Sequence, residues 1–329
     1  MASIGAADDS SLITGPSDRF ARWLRWWASG TWLDWGFVLL STALVGAGYF
    51  DAWINRNLRT PLPSWEHVPI QVTWLAVTLY IGGAILLRWR RDRSDSVVPD
   101  GYGLSVLGCV IFLTGIVSSG WWTDAFGPDF GVPALFRPPN LLEITGAVLI
   151  VVGPLRASAS RGELMAGPTG VLSALLVLAS VNFFLQFDSP YINPFPAVGG
   201  VLMPDPSPTG ADAFNNREEI LGAVGLLMQA AAVTGVILWT LRQTRLPVGS
   251  ITVILAGTAF LSAAQTGRFQ MVGVAFVAGA LSEAVLVLVR PRADRVAGLR
   301  VFAVSMGVLL SGVYLIYITL SKAWNCCET

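Results

Sequence analysis

The chain has 329 residues, of which 53% are hydrophobic and only 13% are charged. Globular proteins average about 25% charged residues, so this composition and its long apolar runs exclude an ordinary water-soluble fold. The 21 basic and 21 acidic residues give a formal net charge of zero, which offers no basis for nucleic-acid binding. Three Cys and one His exclude a disulfide framework, a zinc finger or a haem site. The composition indicates a polytopic membrane protein.

Residues 1–30 are predicted to form a polar tail and an interfacial segment in which Arg and Trp alternate. No cleavable signal peptide is expected, because residues 1–18 lack the basic, apolar and small-residue order of a signal. Trp prefers the membrane interface and Arg prefers anionic headgroups. The segment therefore predicts either a short helix on the cytoplasmic surface or a basic flank that orients the first span.

The transmembrane domain is predicted over residues 31–320, with a C-terminal tail at 321–329. A membrane-spanning helix needs about 20 mostly apolar residues, since backbone groups must be satisfied internally in hydrocarbon. Nine stretches of the sequence meet this requirement. They lie near 31–54, 67–88, 102–124, 140–156, 166–187, 217–241, 247–265, 269–289 and 300–320.

Arginines predict the orientation of these spans, because Lys and Arg are retained in cytoplasmic loops. They precede the first span and follow the second, fourth, sixth and eighth, whereas Asp124 and Asp188 lie in opposite loops. We therefore expect a cytoplasmic N-terminus and an external C-terminus. Arg greatly outnumbers Lys, which is typical of GC-rich bacterial genomes, and the predicted location is a bacterial inner membrane with the lipid bilayer as partner.

The hairpins on the predicted outer face resemble one another. Asp51 precedes His67 by 16 residues, and Asp124 precedes Asn140 by the same spacing. After the second and third hairpins, the runs at 143–148 and 219–224 nearly match. This predicts an internal repeat of helical hairpins.

Two Asn residues of this repeat each precede a Glu by three residues. Asn140-x-x-Glu143 and Asn216-x-x-Glu219 have the arrangement of a capping box, in which the first residue caps a helix and the carboxylate lies at the third helical position. This interpretation is purely structural.

The functional interpretation is that residues of the hairpin ends converge on the outer face. Imidazole and carboxylates together are ligands for copper, zinc or iron. The candidate metal ligands are Asp51, His67, Asp124 and Glu143.

These hairpins resemble the C-type subunit of copper membrane monooxygenases over roughly residues 45–150. That family carries Asp-x-x-x-His at a helix end and Pro-x-His-x-x-Glu at the start of the next helix. The matching positions in the first hairpin are Asp51, Asn55 and His67, and in the second they include Asp124 and Glu143. The resemblance implies copper as the cofactor and other membrane subunits as partners.

The chain also departs from that pattern. Asn55 stands where a His is expected and Ile70 where the Glu is expected, while Pro128 and Asn140 replace both His of the second hairpin. With these substitutions, the resemblance implies an accessory or non-catalytic subunit with a degenerate site.

A second hypothesis is a transporter of a small solute or ion. Ionisable residues inside spans are costly and are functional candidates by default. The transport candidates are Glu283, Gln229, Asn182, Gln186 and Asp188. Their alternative role is hydrogen bonding between helices.

A third hypothesis is a membrane enzyme acting on a lipid-like substrate, with outer-face carboxylates as acid and base. The Pro- and Gly-rich stretch at 188–216 is predicted to form an outer lid or docking loop. Cys326 and Cys327 could bind a soft metal in the outer tail.

Overall fold

The structure, a computed structural model, describes residues 31–57, 67–91, 97–127, 132–163, 165–192, 208–291 and 296–325. Eight helical segments of this part are long and apolar enough to cross a membrane, and a ninth, Ser250–Thr266, is apolar but shorter. The prediction of an all-α polytopic membrane protein is confirmed. The orientation stays a prediction. The Arg/Trp segment within 1–30 and the cysteines at 326–327 lie outside the described residues.

The structure contains eleven α-helices in its described residues. They are α1 (Trp32–Asn57), α2 (Val68–Arg91), α3 (Gly103–Phe126), α4 (Val132–Leu135), α5 (Pro138–Val151), α6 (Gly153–Ser160), α7 (Pro168–Phe184), α8 (Pro208–Gln243), α9 (Ser250–Thr266), α10 (Gln270–Val289) and α11 (Val296–Asn325). A 3₁₀ turn, Leu185–Phe187, extends α7. The helices α5 and α6 together form one candidate span, Pro138–Ser160.

Two predicted boundaries need correction. Helix α8 begins at Pro208, so the last nine residues of the predicted lid loop at 188–216 are helical. Helix α11 continues to Asn325, so most of the predicted tail at 321–329 is helical as well.

One end of the bundle, here called the basic end, carries the start of α1 and the ends of α2, α6, α8 and α10. The segments there are tied together: Asp34 at the start of α1 pairs with Arg161 after α6. The backbone N–H of Ala166 donates to the carbonyl of Arg245 at 2.9 Å. The opposite end carries Asp51 and His67.

Glycines set the close approach of α3 to α5. A Cβ on Gly108 would lie 2.7 Å from the carbonyl oxygen of Gly146, and a Cβ on Gly146 would lie 2.7 Å from the backbone nitrogen of Phe112. Because these distances are far inside van der Waals contact, the crossing requires residues without side chains.

The fourth span is broken at Val152, between α5 and α6. Pro154 has no N–H to donate to the carbonyl four residues earlier, that of Ile150. The hydroxyl of Ser105 on α3 donates to this carbonyl instead, at 2.8 Å.

Ser173 on α7 bridges the same break. Its hydroxyl donates to the carbonyl of Val151 at 2.5 Å and accepts from the backbone N–H of Leu155 at 3.3 Å. Interrupted helices are tolerated at membrane depth where neighbours satisfy the freed backbone groups. The two serines do so here, and both are fully buried.

The spans differ greatly in how deeply they lie in the bundle. In α7 61% of the most apolar window is buried, whereas in α2 the figure is 11%. Helix α7 is therefore central, and α2 lies at the edge of the bundle against α1, with most of its surface available to lipid.

Candidate functional site: the hairpin cluster and the buried polar groups

The end of α1 and the start of α2 bring two predicted metal ligands together. Nδ1 of His67 lies 3.2 Å from Oδ1 of Asp51. The side chain of His67 is 56% exposed and that of Asp51 is 15% exposed. The imidazole therefore faces solvent while the carboxylate is largely withdrawn from it.

Glu143 joins this pair from α5. Its side chain packs against α3, where a Cβ on Gly115 would lie 2.6 Å from its Cγ. From this position it interacts electrostatically with both His67 and Asp51. Three of the four predicted ligands thus lie within electrostatic range of one another, and we call them the hairpin cluster (Asp51, His67 and Glu143).

The fourth predicted ligand lies apart. Asp124 is exposed near the end of α3, and the charges acting on Glu143 are those of His67 and Asp51. Asn55, at the position of a family His, is also exposed.

The predicted capping boxes are wrong. Helix α5 begins at Pro138 with Arg137 as its cap, so Asn140 is already inside the helix. Its amide Nδ2 donates instead to the carbonyl of Ala134 in α4, at 2.7 Å. Asn216 lies in the interior of α8 for the same reason. The two prolines that open α5 supply the fixed backbone angle that starts a helix without a side-chain cap.

The hairpin cluster does not reproduce the copper site that the resemblance implies. That site needs two imidazoles beside the carboxylate, and the sequence contains one His. Within the described ranges, no three side chains of His, Cys, Asp and Glu are placed to hold a metal ion together. The donor set of one imidazole and two carboxylates matches zinc-type sites better than copper sites.

Glu283, the leading transport candidate, lies on α10, and its side chain reaches the first turn of α9. Its Oε2 accepts the backbone N–H of Ile251 at 3.0 Å, and the backbone N–H groups of Gly249 and Thr252 also stabilise the carboxylate. The first N–H groups of a helix have no partner within it and carry partial positive charge. Glu283 on α10 therefore caps the N-terminus of α9.

The Asn182–Gln186 pair faces α9. Nδ2 of Asn182 donates to Oγ of Ser262 at 2.7 Å, and Nε2 of Gln265 donates to Oε1 of Gln186 at 2.7 Å. Asn182 is 1% exposed. The predicted shared face exists, and in the structure it makes hydrogen bonds between α7 and α9.

The last two transport candidates are also buried. Asp188 is 7% exposed, and its backbone oxygen abuts Gly225 on α8 so closely that a side chain there would clash. Gln229, one helical turn further along α8, is 4% exposed, and neither polar atom of its amide has a hydrogen-bond partner in the described part of the chain. A buried amide without partners calls for water or a ligand.

Sequence reasoning missed a buried charge cluster at the basic end. Oδ1 of Asp34 accepts from the hydroxyl of Tyr102 at 2.6 Å, and Oδ2 lies 3.0 Å from Nη2 of Arg161. Nε of Arg161 lies 2.7 Å from Oε1 of Glu163. The side chain of Asp34 is 1% exposed.

Two pKa values of this cluster are displaced. Burial raises the pKa of Tyr102 far above its usual range, and the Asp34 carboxylate raises it further, so the phenol stays a hydrogen-bond donor. Burial lowers the pKa of Arg161, but the Glu163 and Asp34 carboxylates more than offset this and the net pKa is raised. The sequence did contain one sign of a structural role for Asp34, the capping-box pattern Thr31-x-x-Asp34. In the structure each of these two side chains accepts a hydrogen bond from the backbone N–H of the other residue.

No family model, curated protein or solved structure matches this chain. The resemblance to the C-type monooxygenase subunit therefore depends on the hairpin residues alone.

Proposed function

We propose that this integral multi-pass membrane protein is an accessory subunit that binds a divalent cation of the zinc class at the hairpin cluster. The observation that supports the proposal is the contact of His67 with Asp51, with Glu143 within electrostatic range of both. As they stand, these described side chains are not close enough to hold one ion together, so binding would have to draw Glu143 toward the pair.

Charge balance supports the proposal. Metal ligands bind in their deprotonated forms, so a divalent cation would balance the charge of the Asp51 and Glu143 carboxylates beside the neutral imidazole of His67. Buried charges are costly without a partner of opposite sign. A divalent cation would supply that partner at a place where Nδ1 of His67 and Oδ1 of Asp51 already lie 3.2 Å apart.

The test is the metal content of the detergent-purified protein, measured by mass spectrometry after equilibration with zinc. We expect stoichiometric zinc in the wild type, and its loss in the Asp51→Ala/His67→Ala double variant and in Glu143→Gln. Asp124→Ala is the matched control, because it removes an exposed carboxylate outside the hairpin cluster. Zinc that survives the double variant, or a wild type without zinc, would refute the proposal. A parallel copper arm tests the resemblance.

A second candidate function, transport of a small solute or ion, is supported by the buried amide of Gln229, which has no hydrogen-bond partner among the described residues. Uptake by proteoliposomes should then fall in Gln229→Leu while zinc binding is unchanged. The variant Glu283→Gln separates two roles of the carboxylate. Uptake should be lost if Glu283 takes part in transport, and it should be kept if Glu283 only caps α9. A lipid-directed enzyme that uses Asp51 and Glu143 as acid and base would instead give a bell-shaped pH–rate profile.

A further inference from the structure

A cleft of about 880 Å³ opens at the basic end of the bundle. It lies between the connection after α6, the last turn of α8 and the last turn of α10. Three exposed arginines line it: Arg242, Arg245 and Arg290. A second cleft of about 540 Å³ adjoins it through Arg242 and adds Arg300.

Among the described residues, little negative charge offsets the arginines of the cleft. Glu163 also lines it, but its carboxylate is engaged by Arg161 at 2.7 Å. None of Arg242, Arg245 and Arg290 forms an ion pair with a residue that the structure describes. Three guanidinium groups around one opening are a recognition site for phosphate, which they bind through charge-assisted hydrogen bonds.

The remaining walls of the cleft are apolar. Leu241, Leu246, Leu286 and Val287 line it together with Val248, which is 78% exposed. Basic and apolar linings side by side at the end of membrane spans match an amphiphile with an anionic head. A free anion would use the arginines but would gain nothing from the apolar wall.

Two residues of the cleft have unusual local environments. Arg290 has φ 46°, in the left-handed region, because it ends α10 and its backbone N–H donates to the carbonyl of Leu286 at 2.9 Å. Thr244 lines the cleft, is 5% exposed, and its hydroxyl has no hydrogen-bond partner in the described ranges. An unsatisfied buried hydroxyl beside the cleft calls for a water or a polar ligand group.

We propose that this cleft binds the phosphate headgroup of an anionic phospholipid. Arg242, Arg245 and Arg290 would contact the phosphate, and the wall that contains Leu246 and Val287 would contact the first part of the acyl chains. Basic clefts between membrane helices bind such headgroups elsewhere by the same chemistry.

The experiment is native mass spectrometry of the detergent-purified full chain, titrated with phosphatidylglycerol, cardiolipin or zwitterionic phosphatidylcholine. We expect the anionic lipids to bind in preference to phosphatidylcholine. In the Arg245→Gln/Arg290→Gly variant the apparent Kd should rise about 25-fold, since each arginine near a membrane surface contributes a factor of about five. Glycine at 290 accepts the left-handed backbone angle without strain, and the melting temperature of the variant is measured alongside to check that it is folded.

The matched control is Arg90→Gln/Arg156→Gln, which removes two exposed arginines of the same end outside the cleft. It should keep wild-type affinity. Equal losses in both double variants, or no preference for anionic lipid, would overturn the proposal. An inorganic-phosphate arm separates the two sources of the anion: phosphate that binds as tightly as the lipid would show that the cleft serves a free anion and would overturn the lipid assignment.

Discussion

The hydroxyl of Tyr102 donates to Oδ1 of Asp34 over 2.6 Å and thereby joins the start of α3 to the start of α1. Because the acceptor is a buried carboxylate, Tyr102→Phe should lower the free energy of unfolding by about 1.5–3 kcal/mol. Tyr80→Phe is the control, since its hydroxyl donates to a neutral carbonyl, that of Trp32, at 3.1 Å. The measurement is unfolding in mixed detergent micelles. A loss in Tyr102→Phe no larger than that in Tyr80→Phe would contradict the assigned role.

Gly225 and Gly235 lie in the same helix and should respond oppositely to a methyl group. Alanine at 225 would meet the backbone oxygen of Asp188, whereas a Cβ at 235 meets nothing within 4 Å. We expect Gly225→Ala to destabilise by about 1–3 kcal/mol through overpacking. Gly235→Ala should be neutral or stabilising by up to about 1 kcal/mol through helix propensity. Melting temperatures of the two variants decide this, and equal shifts would refute the close contact.

The bridging role of Ser173 predicts a loss of stability on truncation. Ser173→Ala leaves the carbonyl of Val151 and the N–H of Leu155 unpaired inside the bundle, at a cost of about 1–3 kcal/mol. Ser180→Ala, on the same helix, removes only a bond to its own helix, to the carbonyl of Leu176. Its cost should be under about 1 kcal/mol. Chemical unfolding of both variants measures the difference in stability. Equal losses in Ser173→Ala and Ser180→Ala would show that the break between α5 and α6 does not depend on the hydroxyl of Ser173.

Glu283 can be tested by pairing two substitutions. Glu283→Gln keeps an oxygen that can accept the N–H of Ile251, whereas Glu283→Leu keeps the volume and removes the acceptor. If Glu283 caps α9, the leucine variant should lose about 1–3 kcal/mol and the glutamine variant markedly less. The readout is hydrogen exchange at the first turn of α9 together with global unfolding. Unchanged protection of that turn in the leucine variant would argue against the cap.

Tyr191 predicts a specific alkaline response. Burial raises its pKa to about 12 from the ordinary value of 10. Between these two values the unfolded chain has lost the phenolic proton and the folded chain has kept it, so stability falls as the pH rises. The loss from this residue should be about 1 kcal/mol near pH 11 and absent below pH 9. Measuring the free energy of unfolding of Tyr191→Phe and of the wild type over this pH range isolates the contribution of Tyr191. If the two stability curves run parallel, the phenol is not shielded from water.

The spans were predictable because membrane helices are encoded by long apolar runs, which a single sequence displays directly. The first residues of the helices were harder to predict. The capping-box pattern at Asn140 predicted the wrong start for α5, because Pro138 and Pro139 begin the helix two residues earlier. Capping patterns describe the residues that can cap a helix, and a preceding proline pair overrides them by fixing the backbone.

The candidate metal site stays a prediction. Residue type singled out Asp51, His67 and Glu143, and the 16-residue spacing of Asp51 and His67 suits the two facing ends of one hairpin, where their side chains lie 3.2 Å apart. The partners of Asn182 and Glu283 could not be predicted, because they depend on which helices are neighbours. The pairing of Asp34 with Arg161 was hidden for the same reason, since more than 120 residues separate them.

The short length of α9 bears on the membrane around it. At a rise of about 1.5 Å per residue, its 17 residues span only about 25 Å, less than the roughly 30 Å of a typical hydrocarbon core. Ser250 and Ile251 in the first turn of α9 are buried, and the carboxylate of Glu283 on α10 takes the place of water as the acceptor for the N–H of Ile251. Such a mismatch makes the protein sensitive to bilayer thickness, and shorter acyl chains should relieve the mismatch at α9.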